Sequence, residues 1–164
     1  MPKVLASRHH AGQTSRMEGF TAKQLIERLA LKPHPEGGWF RETWRAPTTN
    51  RERAAATAIL FLLEASQRSH WHRVDAAEIW LWHAGDCLRL STAPEECGPI
   101  DSIILGPDLL SGHAIQHVVS AAHWQAADPE PGGRSGFVLA SCVVAPGFDF
   151  AGFTLAPPGW TPRR

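Results

Sequence analysis

The sequence predicts an all-β fold, a sandwich or barrel of short strands, with one helix near the N-terminus. Short apolar runs alternate with Gly- and Pro-containing turns along most of the chain, which is typical of such folds. Thirteen prolines and fourteen glycines supply the turns, and seven tryptophans supply large rings to fill or line an interior. A chain of 164 residues with 43% hydrophobic content is long enough for one buried core, so we expect a single domain over residues 20–164.

The N-terminal residues and the cysteines indicate a compartment. Met1 to Gly19 is polar and lacks an apolar segment of signal-peptide length, so we expect a mobile tail there. No segment approaches the roughly 18 apolar residues that a membrane helix needs. Cys87, Cys97 and Cys142 form no CxxC pair, and their odd number argues against a disulfide framework. We therefore expect a soluble cytoplasmic protein.

The charge of the chain is balanced. Sixteen Lys and Arg residues accompany sixteen Asp and Glu residues, which gives a formal net charge of zero and a pI near 7.1. The basic residues are scattered, so the charge pattern of a nucleic-acid-binding protein is missing. The sequence also lacks a P-loop, a Rossmann fingerprint and a nucleophile elbow, which argues against a nucleotide cofactor. We expect neither nucleic acid nor a membrane as a partner.

One helix is predicted, over Ala22 to Leu31. Thr21 can cap its first turn while Gln24 reaches back as the partner in a capping box. Leu25 and its neighbours give it one apolar face. It must end before Pro33, because proline cannot continue the hydrogen-bond ladder.

Nine strands are predicted from β-branched, aromatic and alternating runs between turn signals. They are Trp39–Arg45, Thr57–Leu63, His70–Val74, Glu78–His83, Cys87–Leu90, Ser102–Leu105, Ile115–Val119, Phe137–Val144 and a last one near Phe148–Leu155. The first of them carries rings and charges on both faces, which suggests a binding edge. The segment from Asp128 to Ser135 is interpreted as a long exposed hairpin loop.

The residues that bear most on function begin at His70. If His70 and His72 lie on a strand, their side chains project to the same face, about 6.6 Å apart at the Cα atoms, and both imidazoles can converge on one ion or substrate. Glu78 follows on the next predicted strand. It shares its parity there with Trp80 and Trp82, so the carboxylate could point toward the same position. This pattern predicts a site in a pocket.

The same stretch resembles the first motif of the cupin superfamily, in which an HxH pair is followed by a glutamate and, after six residues, a glycine. Here these residues are His70, His72, Glu78 and Gly85. More specifically, the chain is similar over roughly residues 20–155 to a branch of small cupins called DUF985, or cupin type 5. The matching strings are His34-Pro35-Glu36-Gly37-Gly38-Trp39, Arg41-Glu42-Thr43, Ser69-His70-Trp71-His72-Arg73, Glu78-Ile79-Trp80 and Ala145-Pro146-Gly147-Phe148-Asp149-Phe150.

This resemblance implies a cupin double-stranded β-helix, that is, a jelly-roll barrel. It also implies a homodimer, and exposed jelly-roll edges could pair across an interface. Relatives by fold include sugar-nucleotide epimerases, sugar-phosphate isomerases, metal dioxygenases and storage proteins, so the fold alone does not select a function.

The second cupin motif, Pro-x-Gly-x-x-His, should follow the strand Ile115–Val119. The best register places Gln125 where the family has a histidine, and His123 lies two residues earlier on the same face. Glutamine can offer its carbonyl oxygen to a metal or a hydrogen bond to a substrate. The resemblance then implies a site for one divalent ion, Zn, Mn, Fe or Ni. Its candidate ligands are His70, His72, Glu78 and Gln125.

Further side chains are candidates for binding a ligand. Four tryptophans could stack a sugar or a nucleotide base, or they could fill the core. These are Trp39, Trp80, Trp82 and Trp124. Arg41 and Glu42 suggest polar recognition beside the pocket, or else a solvated edge strand. His34 with Gly37 and Gly38 either positions a loop over the barrel mouth or forms a plain turn.

We hypothesise a cupin that holds a small polar molecule, a sugar, sugar phosphate or nucleotide sugar, among His70, His72, Glu78 and Gln125. In an isomerase or epimerase, His72 or Glu78 would remove a proton next to a carbonyl, and a metal or Arg41 would stabilise the enolate oxygen. A metal-dependent oxidoreductase and a non-catalytic binding protein are the alternatives. In the last case the two histidines only hold a pocket open through hydrogen bonds.

Overall fold

The structure, a computed structural model, describes residues 19–49 and 52–163. The tail predicted for residues 1–19 lies outside the described residues except for Gly19, and the division of the chain at residue 20 stays a prediction. Within the described ranges, one α-helix and eleven strands form a mostly β fold, as predicted. No helix in these ranges is long and apolar enough to cross a membrane.

The helix α1 (Ala22–Arg28) starts as the capping box predicts. The Gln24 backbone N–H donates to Thr21 Oγ1 at 3.3 Å, and the Thr21 backbone N–H donates to the Gln24 side chain at 2.9 Å. The helix ends three residues before the predicted end, because Ala30 takes a left-handed φ of 51° that breaks the ladder before Pro33.

The strands form two antiparallel sheets. They are β1 (Lys32–Pro33), β2 (Trp39–Arg45), β3 (Thr57–Glu64), β4 (Ser69–Val74), β5 (Ala77–Gly85), β6 (Leu88–Ala93), β7 (Asp101–Leu105), β8 (Gln116–Val119), β9 (Trp124–Pro129), β10 (Phe137–Ala145) and β11 (Phe153–Leu155). The six-stranded sheet has the order β1-β2-β3-β10-β5-β8, and the five-stranded sheet has the order β11-β4-β9-β6-β7.

Most of the predicted strands are confirmed, and their ends move by at most three residues. The strand β9 was not predicted, because the sequence interpretation assigned no element to residues 124–127 and treated Asp128 as the start of a loop. The last strand is also shorter than predicted. Phe150–Gly152 forms a 3₁₀ turn, capped by the Asp149 carboxylate, and only Phe153–Leu155 pairs with β4.

Two apolar clusters hold the sheets and the helix together. The main core lies between the sheets, where Phe61 of β3 and Trp80 of β5 meet edge to face with ring centroids 5.5 Å apart. A second cluster lies on the outer face of the six-stranded sheet, where Leu25 of α1 packs with Leu62 and Phe137. Burial of such side chains contributes about 1.5–3 kcal/mol each. The helix therefore covers one outer face and leaves the space between the sheets to the site.

Candidate functional site

A cavity of about 320 Å³ lies between β4 and the inner face of the six-stranded sheet. Buried polar side chains occupy its depth, and exposed ones surround its mouth. The lining residues at depth are His34, Glu36, His72, Glu78 and Cys142; those exposed at the mouth are Glu42, Arg45, Asp149 and Phe150. The walls between them are mainly apolar. The volume lies in the range of small-molecule sites.

The turn after β1 delivers Glu36 into the cavity. Gly37 has a φ of +108°, and a Cβ at that position would overlap the backbone carbonyl of Arg68. Only glycine permits both the backbone conformation and this close approach. The His70 backbone N–H donates to the Glu36 carbonyl at 2.8 Å, which ties the turn to β4. Sequence reasoning missed Glu36 as a site residue, although the string His34 to Gly38 was among those that matched the family.

Glu36 is the centre of a hydrogen-bonded group. The Ser69 hydroxyl donates to Glu36 Oε1 at 2.8 Å. Glu36 Oε2 lies 3.4 Å from His34 Nδ1 and 3.3 Å from His72 Nε2. His72 Nδ1 lies 2.8 Å from the His70 carbonyl oxygen, so in the neutral ring Nδ1 carries the proton and Nε2 presents a lone pair. His34 Nδ1 also accepts, from the Glu36 backbone N–H at 3.3 Å.

Burial shifts the pKa values of Glu36 and His72 in opposite directions, each toward its uncharged form. Burial raises the pKa of Glu36, although the neighbouring His34 and the Ser69 hydrogen bond act in the opposite direction. Burial also lowers the pKa of His72, against the effect of Glu78. When Glu36 is protonated, the Nε2 lone pair of a neutral His72 lies 3.3 Å from its carboxyl and is the acceptor nearest to hand.

A second chain of hydrogen bonds runs through Gln125. The Trp80 indole N–H donates to Gln125 Oε1 at 2.9 Å, and Gln125 Nε2 donates to Glu78 Oε2 at 2.5 Å. Since the indole can only donate, it fixes the amide with its oxygen toward Trp80 and its nitrogen toward Glu78. Burial raises the pKa of Glu78, and the charge of Glu36 raises it further. The Gln125 bond acts against both by stabilising the carboxylate.

His70 does not line the cavity. Ser69 pairs with Ala127 and His72 pairs with Gln125, so three steps along β4 match two steps along β9. This bulge turns Ser69 and His72 to the inside and leaves the His70 side chain exposed. The expectation that the imidazoles of His70 and His72 converge is therefore corrected.

The predicted tryptophans lie around the cavity and do not line it. The Trp39 indole donates to Glu64 Oε1 at 3.0 Å beneath α1, and the Trp82 indole donates to the Asp86 carbonyl at 3.0 Å. Trp124 packs on the outer face of the five-stranded sheet, with its ring 4.4 Å from that of Trp160. Trp80 acts on the site only through Gln125. Of the two interpretations of these tryptophans, filling the core agrees with their positions, and stacking on a ligand in the cavity does not.

A bulge in β2 also changes which residues reach the cavity mouth. Glu42 pairs with Ile59, and Trp44 pairs with Ala58. Two steps along β2 thus match one step along β3, so the alternation along β2 shifts by one residue. Glu42 and Arg45 consequently both line the cavity, whereas Arg41 is exposed outside it. The Glu42 prediction agrees with this placement and the Arg41 prediction does not. Arg45 was not singled out, and strict alternation puts it on the face opposite Glu42.

The metal centre predicted from the family does not fit this arrangement. His70 is outside, and both polar atoms of the Gln125 amide are used by Trp80 and Glu78. His123 is not part of the cavity lining either. Within residues 19–49 and 52–163, no group of three or more His, Cys, Asp or Glu side chains is arranged to hold a metal ion. The acid and base groups that line the cavity are side chains of Glu36, His72 and Glu78. Binding of a divalent ion stays a prediction.

The two antiparallel sheets enclose a cavity with polar groups at its depth, as in the jelly-roll barrels to which the cupins belong. Residues 23–156 match the family described as Cupin superfamily (DUF985), and the chain belongs to this family. The family resemblance drawn from the sequence is thereby confirmed.

Relatives of the chain cover most of its length. An uncharacterized protein of Saccharomyces cerevisiae is 31% identical over 150 residues, which span 80% of this chain and 73% of that protein. A solved structure from Shewanella oneidensis is 33% identical with a TM-score of 0.77, covering 84% of this chain and 85% of the other. A hypothetical protein from Leishmania major is 30% identical with a TM-score of 0.77, covering 86% and 90%.

Proposed function

We propose that this cupin binds a sugar or sugar derivative in the cavity and isomerises or epimerises it by acid–base chemistry. The observation that carries the proposal is the convergence of two buried carboxyl groups, Glu36 and Glu78, on one cavity in opposite hydrogen-bonding environments. Burial and the lone pair of His72 Nε2 favour the acid form of Glu36, whereas the Gln125 amide N–H favours the carboxylate of Glu78. Burial raises the pKa of both carboxyl groups, and their different hydrogen-bond partners suit one to act as an acid and the other as a base.

The reaction then follows from these two groups. Glu78 takes a proton from the carbon next to the substrate carbonyl, and the electron pair of that C–H bond forms an enediol. Glu36 gives its proton to the carbonyl oxygen, and the His72 ring beside it holds the carboxyl in place. For isomerisation, Glu78 returns the carbon-bound proton to the neighbouring carbon while Glu36 takes the proton of the other enediol hydroxyl, so that a new carbonyl forms and both carboxyl groups are regenerated. For epimerisation, the enediol turns over in the cavity, Glu78 returns the proton to the opposite face of the same carbon, and Glu36 takes back the proton that it gave. Such proton transfers accelerate reactions by about 10²–10⁴-fold each.

The walls of the cavity suit the same ligand. Phe40, Phe148 and Phe150 line it together with aliphatic side chains, and the polar groups are concentrated at its depth. A sugar presents C–H faces that can pack on rings and hydroxyls that can bond to carboxyl and imidazole groups. The combination of apolar walls and few convergent polar groups is typical of small-molecule sites.

The proposal is tested by hydrogen exchange at carbon. Aldoses and ketoses are incubated with the protein in D₂O, and proton NMR follows deuterium incorporation next to the carbonyl. We expect exchange with the wild type and a loss of at least about 100-fold in Glu78→Gln and in His72→Ala. The matched control is His70→Ala, on the same strand but outside the cavity, which should exchange like the wild type. Unchanged exchange in Glu78→Gln contradicts the mechanism, and binding without exchange by the wild type indicates a non-catalytic cupin.

The assembly and location of the protein also belong to this proposal. The family resemblance implies a homodimer, and light scattering should then give a mass twice the 18.0 kDa of one chain. The three cysteines are free thiols, which supports a reducing cytoplasmic compartment.

Oxygen consumption by iron-loaded protein would support the oxidoreductase alternative over the isomerase.

A further inference from the structure

Arg45 is the one Lys or Arg side chain that lines the cavity within the described part of the chain. All three nitrogens of its guanidinium are engaged by protein oxygens. Nε donates to Glu42 Oε1 at 3.0 Å, Nη2 donates to Glu42 Oε2 at 2.7 Å, and Nη1 donates to the Phe148 carbonyl at 3.2 Å. Glu42 therefore occupies the Nε and Nη2 edge of the guanidinium, a bidentate arrangement that would otherwise bind a phosphate or a carboxylate of a ligand.

The charges around Arg45 also disfavour an anion. Glu42 raises the pKa of Arg45 through its hydrogen bond, and the nearby Asp149 raises it further. With one guanidinium and two carboxylates, the mouth carries a net charge of −1. Glu36 and Glu78 lie deeper in the cavity, and each adds a negative charge when it ionises. A phosphate ester entering this cavity would meet carboxyl groups at both ends.

We propose that Glu42 is a specificity-determining residue, which occupies Arg45 so that the cavity selects an unphosphorylated sugar and rejects its phosphate ester. The inference rests on the proposed function in taking a sugar as the ligand. It reduces the three ligand classes left open by the sequence to one, because sugar phosphates and nucleotide sugars carry phosphates, and the one Lys or Arg side chain that lines the cavity in the described residues is already paired with Glu42. Rejection of an anion by carboxylates placed at the mouth is specificity through repulsion.

The experiment measures phosphate binding and needs no turnover. Inorganic phosphate and D-ribose 5-phosphate are titrated into the wild type, Glu42→Gln and the double variant Glu42→Gln/Arg45→Gln, at one low ionic strength, by isothermal titration calorimetry. We expect Glu42→Gln to bind both probes at least about tenfold more tightly than the wild type, because the guanidinium keeps its charge and loses its carboxylate partner. The double variant should return to the wild-type level.

A matched control distinguishes this effect from a general gain of positive charge. Arg89 and Glu130 form a similar pair away from the cavity, with Nε 2.8 Å from Oε1 and Nη2 3.0 Å from Oε2. Glu130→Gln removes the same charge, and its phosphate affinity should stay at the wild-type level. Glu42 and Arg45 side chains are 40% and 46% exposed, so we expect both variants to fold, which their melting curves check.

Three results would overturn the proposal. They are phosphate binding by the wild type that Glu42→Gln/Arg45→Gln abolishes, no gain in Glu42→Gln, and an equal gain in Glu130→Gln. These outcomes are separate from the exchange assay. If carbon exchange fails while Glu42→Gln gains phosphate affinity, the enzymatic function is wrong and the role of Glu42 stands. If exchange succeeds while the phosphate affinities do not change, the inference about Glu42 alone is wrong.

Discussion

Replacing Trp80 by phenylalanine should destabilise the protein through the hydrogen bond that orients Gln125. Both side chains are 1% exposed, so water cannot replace the lost indole N–H. A buried acceptor left without a partner costs about 1–3 kcal/mol, and the space left by the smaller ring costs roughly 1–2 kcal/mol more. We therefore expect Trp80→Phe to lower the free energy of unfolding by about 3 kcal/mol. This corresponds to a fall in Tm of about 6–12 °C for a domain of this size.

A double-mutant cycle separates the hydrogen bond from the packing. Urea unfolding is measured for Trp80→Phe, for Gln125→Leu and for the double variant. Since Gln125→Leu removes the acceptor, the second substitution should cost less in its presence, with a coupling of about 1 kcal/mol or more. Trp82→Phe is the matched control, because its indole bonds to the Asp86 carbonyl and does not touch Gln125. A cost below about 0.5 kcal/mol for Trp80→Phe, or a coupling near zero, would refute the role assigned to this bond.

Two further predictions concern Glu36 and Glu78. Gly37→Ala should lower the free energy of unfolding by more than about 2 kcal/mol, since the new Cβ would overlap the Arg68 carbonyl. Gly132→Ala should lower it by less, because nothing lies near the Cβ there. Thermal melts that rank the two variants equally would contradict this. Because the pKa of Glu78 is raised in the folded state, the wild type should lose stability as pH increases above 4.5. Glu78→Gln lacks this carboxyl group, so its stability relative to the wild type should increase over the same pH range. Urea unfolding between pH 4.5 and 8 measures the difference, and a constant difference would argue against a raised pKa.

Features that depend on neighbouring residues were predictable from the sequence. The capping box at Thr21 and Gln24 involves residues three apart, so it could be placed before any tertiary contact was known. The strand runs were also recognisable, because β-branched and aromatic residues favour a pleated conformation. The spacing of His72 and Glu78 placed both residues correctly at a cavity, and ordered motif strings identified the family.

Features that depend on distant segments were not predictable in this way. After Trp124, the β9 sequence of glutamine, alanines, aspartate and proline has little strand propensity, and it is a strand because β4 and β6 pair with it on both sides. The Glu36 side chain reaches the cavity because Gly37 lets the turn approach Arg68. Neither pairing nor close approach leaves a local pattern that propensity can detect.

The composition of the site was decided by two bulges. Alternation with a period of two predicts that His70 and His72 share a face and that Glu42 and Arg45 do not. An extra residue in β4 and another in β2 reverse both expectations. Where a bulge falls is set by the register against the partner strand and by the packing of both faces, and these exist only once distant parts of the chain have met. The sequence therefore determined the class of fold, the helix, most strands and two of the buried site residues, whereas the tertiary structure decided which other side chains join them.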